Sequence, residues 1–128
     1  MVRHNDMVIS PEMVLGPERK GIKFAYCTYT RPTNDIPYFI RNSDLFICEG
    51  TYGDNNDISK AIQKKHMLFR EAATLAQAGS VKELWLTHFS PALRKPEKYI
   101  DNARIIFKNT SIGEDGKTTT LKCEDHII

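Results

Sequence analysis

No apolar run in the 128-residue sequence approaches the ~18 residues of a membrane-spanning helix, and the opening MVRHNDMVISPEM lacks the continuous apolar core of a secretory signal. A cytoplasmic protein with no membrane role is the expectation. Cysteine is scarce. Cys27, Cys48 and Cys123 form an odd set without C-x-x-C spacing, which argues against a disulfide framework or zinc knuckle and for reduced, structural thiols. Charge of one sign is also lacking: the net of +2 is too small to argue for nucleic acid by itself. There is no internal repeat and no low-complexity tract. The Asn109-Thr110-Ser111 triplet matches a glycosylation sequon, which means nothing in a cytoplasmic chain.

What is present is ordinary globular material, with 41% hydrophobic and 27% charged residues in a length that suits one small domain. Residues 1–20, with Pro11, Gly16 and Pro17, read as an extended leader that turns at LGPERKG, and residues 21–128 as the folded part. Ile22–Cys27 (IKFAYC), Asp44–Gly50 (DLFICEG) and Val81–Thr87 (VKELWLT) read as strands, the second apolar enough to be covered on both faces. NDIPYFIRN has room for one or two helical turns. Leu68, Ala72, Leu75 and Ala76 recur at helical spacing ahead of Gly79, which fits a C′ glycine, and Pro96 opens a last helix with Tyr99, Ala103 and Ile106 on one face. TSIGEDGKTTTLKC reads as a hairpin or strand pair turning at Glu114-Asp115-Gly116. Alternating strands and helices predict an α/β fold with a mostly parallel sheet.

In open α/β sheets, chemistry gathers beyond the carboxyl ends of the strands. The three strands end in CTYTRP, CEGTY and LTHFSP, so parallel neighbours would bring Tyr29, Glu49 and His88 to one sheet edge. His66, in KKHML, adds an imidazole just ahead of the strongest helix. A glutamate and a histidine on neighbouring loops can move a proton or hold a phosphate. A lone histidine at a strand end is more often a hydrogen-bonded structural residue. His4 and His126 lie near the termini and are bystanders. The basic residues crowd the first third (Arg19, Lys20, Lys23, Arg31, Arg41) and return at Lys60, Lys64 and Lys65, which solvated surface charge explains better than phosphate binding does.

As a set, GPERKGIKFAYCTYTRP, DLFICEGTYGD, KKHMLFREAATLAQAGSVKELWLTHFSPAL and NTSIGEDGKTTTLK resemble, in order and spacing, the C-terminal half of the ribonuclease Z family, the tRNA 3′-processing endonucleases of the metallo-β-lactamase superfamily. The resemblance covers about residues 10–122 and implies half of an αββα sandwich, a mixed and mostly parallel sheet with flanking helices. It also implies zinc as cofactor, His88 as a metal ligand, Glu49 and His66 as catalytic groups assisting proton transfer at the scissile phosphate, Arg31 at a substrate-binding position, and tRNA as substrate.

The sequence departs from the family in ways that bear on chemistry. The family's H-x-H-x-D-H metal cluster belongs to an N-terminal half that these 128 residues do not contain. Tyr29 stands where the family has an aspartate bridging two metals. A bridge needs two anionic oxygens, and a phenol offers a single neutral one, so Tyr29 is not expected to ligate. Cys48 replaces the histidine of the family's HEAT block, and Leu68 the threonine of its H-M-T block. The expected reading is therefore a half-enzyme, inactive alone, that needs a separate N-terminal half. The alternatives are a degenerate non-catalytic remnant or binding module, or a metal-independent protein gripping phosphate with its basic first third. Half a sandwich leaves a sheet face bare, and runs such as FAYC, LFIC and LWL predict a homodimer that covers it.

Overall fold

The computed structural model describes residues 2–4, 7–9 and 21–121. The LGPERK part of the leader turn, Cys123 and His126 lie outside the described residues. Two compact units divide the chain, and the larger is Lys23–Thr120. In the smaller, β1 (Val2–His4) pairs antiparallel with β2 (Met7–Ile9).

The larger unit holds β3 (Phe24–Cys27), β4 (Leu45–Glu49), β5 (Leu84–Thr87) and β6 (Thr110–Ile112) in one four-stranded sheet in sequence order. Every pairing in it is parallel, so the sheet is less mixed than the resemblance implied. Connections between the strands carry α1 (Asp35–Phe39), α2 (Ile58–Lys64), α3 (Phe69–Ala78) and α4 (Asp101–Arg104), with single 3-10 turns leading into α2 and α4. Crossovers of this kind are what parallel strands require. Among the described residues, no helix is long and apolar enough to cross a membrane.

One sheet face packs on helices. Phe46, Cys48, Leu84 and Leu86 alternate along β4 and β5 toward Phe69, Ala72, Leu75 and Ala76 of α3, all buried, and burying a side chain such as Phe69 contributes about 1.5–3 kcal/mol. α3 is the helix with the clearest sequence period, and its carboxyl end needs glycine for packing rather than for conformation. Gly79 has φ −84° and the left-handed residue is Ser80, but a Cβ at Gly79 would sit 2.5 Å from Ile40 Cγ1. α2 carries a single buried residue, Ala61, and so had no period to find.

The expected hairpin at Glu114-Asp115-Gly116 is half present. The Lys117 N–H donates to Glu114 O at 2.9 Å and closes the turn, but no returning strand follows among the described residues. The chain instead turns over Trp85, whose ring centroid lies 4.6 Å from Lys117 Nζ. The other sheet face is open on its β3 side, where Phe24 and Tyr26 are 55% and 59% exposed. A groove of about 700 Å³ runs over this face between Tyr26, Ile47, Trp85 and Ile112 and reaches His88.

Candidate functional site

Parallel order places the carboxyl ends of β3, β4 and β5 side by side, with Glu49 in register with Thr87. Tyr29, Glu49 and His88 do converge there. Beyond Glu49 the chain is stitched to its neighbours: the Gly50 N–H donates to Thr87 O at 2.7 Å, and Ser90 N–H to Thr51 O at 2.9 Å. Gly50 is required by close approach, because a Cβ would meet the Phe69 ring at 2.7 Å.

Glu49 is fully buried and its carboxylate is surrounded by donors. The Thr30 N–H reaches Oε1 at 3.1 Å, while Oε2 accepts from the Thr51 hydroxyl, the Met67 N–H at 3.3 Å and His66 Nδ1 at 2.9 Å. An ionised carboxylate only accepts, so the proton on this contact belongs to Nδ1 and Nε2 is the free position of the His66 ring. A buried charge is tolerated only with such a partner set.

His66 sits between α2 and α3, on a segment paired to the loop after β4. Tyr52 and Leu68 form an isolated parallel bridge, and the Phe69 N–H donates to Tyr52 O at 3.0 Å. Leu68 is the N-cap of α3 and has no side-chain acceptor, so Glu71 serves that end alone by accepting from the Leu68 N–H at 3.0 Å. The same carboxylate takes Arg31 in a two-point pair, Nη1–Oε1 2.7 Å and Nη2–Oε2 2.6 Å, and Nη1 also donates to His66 O at 2.8 Å. Arg31 is therefore tied to the backbone of the residue that carries the imidazole.

The rings of Tyr29 and His88 complete the cleft. Their centroids are 4.5 Å apart in an edge-on arrangement, and each lies within 6 Å of the His66 ring, at 5.6 and 5.7 Å. Both residues have φ of 56°, in the left-handed region that L-residues rarely adopt. Tyr29 is 68% exposed and His66, on the side chain, 18%. Thr30, Thr51 and Glu71, which hold the site together, were not found from sequence. Their only signal was adjacency to residues already singled out.

Below the cleft, Cys27 and Cys48 are free thiols in register on β3 and β4. A hydrogen bond from Cys48 lowers the Cys27 thiol from its ordinary value, against opposing burial, and the same contact together with complete burial pushes Cys48 well up.

A zinc site takes about four nitrogen, sulfur or oxygen donors. Among the described residues no three His, Cys, Asp or Glu side chains are grouped to hold a metal ion. Nδ1 of His66 is committed to Glu49, and the neighbour of His88 is a phenol. The residues described do not by themselves fit the metal.

No protein-family model matches the chain. Among curated proteins it is 55% identical over 125 residues to ribonuclease Z of Clostridium botulinum strain Eklund 17B, covering 98% of this chain and 40% of that protein. To ribonuclease Z of Clostridium perfringens it is 62% identical over 109 residues, covering 85% of this chain and 34% of that one. Among solved structures, the metallo-beta-lactamase fold protein YhfI from Bacillus subtilis superposes with a TM-score of 0.59 at 25% identity, over 70% of this chain and 36% of that one. The chain thus spans about 40% of the length of the curated relatives it matches. With this identity sustained over nearly its whole length and the parallel sheet of that fold, the chain belongs to the ribonuclease Z family, of which it represents the C-terminal part.

Proposed function

We propose that this chain is the C-terminal part of a cytoplasmic tRNA 3′-processing phosphodiesterase, and that it carries the proton-transfer side of the active site. The observation behind this reading is the contact between fully buried Glu49 and half-buried His66. Glu49 fixes the ring and its tautomer through Nδ1–H. Nε2 is then the atom that gives or takes a proton at a scissile phosphate. Thr51, Met67 and Thr30 hold the carboxylate in place, and Arg31, through Glu71 and His66 O, orients the imidazole segment. Zinc would be held weakly by this chain, on His88 with too few further donors, and its other ligands would come from the remainder of a longer chain or from a second polypeptide. No RNA cleavage is expected from these 128 residues alone.

The test is a cleavage assay on a tRNA precursor, using this chain with and without the N-terminal part of the Clostridium botulinum relative. Product should form only with both parts, rise with Tyr29→Asp and disappear with His66→Ala. Cleavage by the single chain would overturn the division of labour. Failure of the Tyr29→Asp pair to cleave would favour the second reading, a non-catalytic module, which has one observation of its own: the Tyr29 ring, 4.5 Å from His88, stands where the family's carboxylate would.

The open sheet face supports self-association, two copies covering each other across Phe24, Tyr26 and Ile47. Light scattering on the purified chain should give a dimer that Tyr26→Lys converts to monomer. A monomer at high concentration would count against it.

A further inference from the structure

Cys27 and Cys48 are in-register neighbours on adjacent parallel strands. Such residues send their side chains to the same side of the sheet, and adjacent strands lie about 4.8 Å apart, inside the ~4.4–6.8 Å between Cα atoms that a disulfide spans. Both face the helix-packed side, Cys48 inside the buried core cluster and Cys27 packed against it. They differ in access. Cys48 is completely buried, with Sγ 3.9 Å from Met67 Sδ, whereas Cys27 is half-buried on the outermost described strand of the four. One thiol can therefore meet a reagent from solvent and the other stands behind it to resolve the product.

We propose that Cys27 and Cys48 form a reversible modification site, converted to an intrachain disulfide by a small-molecule disulfide such as oxidised glutathione. Neither residue has a part in the proposed catalytic function, so the inference stands apart from that reading. The Cys27 thiolate attacks one sulfur of the oxidant, the oxidant's S–S bond breaks, and one glutathione thiolate leaves and takes up the proton that Cys27 gave up. Cys48 then releases its proton and attacks the Cys27 sulfur of the mixed disulfide, and the second glutathione leaves as a thiol. In sum, two protein thiols lose two electrons and two protons, and one disulfide oxidant gains them as two thiols. Glu49 follows Cys48, and the Thr30 N–H that binds Glu49 lies three residues after Cys27.

The experiment treats the full-length Cys123→Ser chain with oxidised glutathione, blocks free thiols, and maps peptides by mass spectrometry. Wild type run in parallel guards against a folding defect in the variant. The expected result is the loss of two hydrogens, a Cys27–Cys48 cross-linked peptide, no retained glutathione, and reversal by dithiothreitol. Cys27→Ser should lose the whole reaction. A persistent Cys27–glutathione adduct with Cys48 unlinked would overturn the proposal, as would a cross-link that forms only after unfolding in urea, or no reaction at either thiol.

Discussion

At the end of β4, Glu49 has no exposed surface and four donors around its carboxylate. At the ends of β3 and β5, Tyr29 and His88 stand in left-handed backbone, and their rings make only aromatic contacts among the described residues. The two sides of one cleft are thus finished to different degrees. The Glu49–His66 side finds its hydrogen-bond partners within this chain. On the other side the His88 carbonyl accepts from the Thr51 hydroxyl at 3.2 Å, while the Tyr29 and His88 rings have no hydrogen-bond partner among the described residues. Backbone strain of this sort persists where surrounding structure enforces it, and Thr51, which binds both Glu49 and the His88 carbonyl, ties the strained side to the carboxylate side.

The sharpest way to break this contrast is to remove the carboxylate. Glu49→Ala strands the Thr30 and Met67 N–H groups, the Thr51 hydroxyl and Nδ1 of His66, and should cost roughly 3–5 kcal/mol of folding free energy. Urea unfolding of the two chains measures it. A cost below about 1 kcal/mol would mean that the site relaxes freely and is not preorganised.

Arg31 comes next. Its two-point pair with Glu71 is partly buried, at 27% and 15% side-chain exposure, and Glu71 also serves the start of α3. Arg31→Met should cost about 1.5–3 kcal/mol by the same measurement, with Arg31→Lys recovering less than half, because an ammonium cannot reproduce the fork. Full recovery by lysine would reduce the pair to simple charge.

How far the sequence revealed this site follows from the same asymmetry. Apolar runs with polar ends located β3, β4 and β5, and parallel pairing then followed from the helices between them, so the convergence of Tyr29, Glu49 and His88 was legible. The α3 period was legible because Ala72, Leu75 and Ala76 all face the core. What stayed hidden was made of backbone donors and short elements. Thr30 and Met67 bind Glu49 through N–H groups that any residue but proline carries, so their identity holds no signal. α2 buries only Ala61, and the TSIGEDG segment spends its turn covering Trp85 rather than starting a strand. The pairing of Arg31 with Glu71, 40 positions apart, is a tertiary fact that no local pattern encodes.

Metal binding probes the other side of the cleft. Zinc titration by calorimetry should find weak binding to wild type, about tenfold tighter binding (~1.4 kcal/mol) to Tyr29→Asp, which adds a charged oxygen beside His88, and none to His88→Ala. Equal affinity in wild type and Tyr29→Asp would show that position 29 does not face the ligand set. Tight zinc in wild type would show that a second copy completes the site.

The smallest effect is the most discriminating for the exposed side. Relieving a φ of 56° at Tyr29 by Tyr29→Gly should return about 1 kcal/mol of backbone strain, and losing the ring forfeits about 0.5–1.5 kcal/mol of aromatic contact with His88, so the net change should stay within about 1 kcal/mol of zero. Lys65, at φ 59° on the carboxyl cap of α2, has the same backbone need and an exposed side chain, so Lys65→Gly supplies the backbone part alone. The difference between the two variants is what the Tyr29 ring is worth. If they gain equally, the ring holds nothing and His88 stands free for a partner's metal. If Tyr29→Gly falls short of Lys65→Gly by more than about 1 kcal/mol, the ring is packing His88 in place, and the open side of the cleft is as built as the carboxylate side.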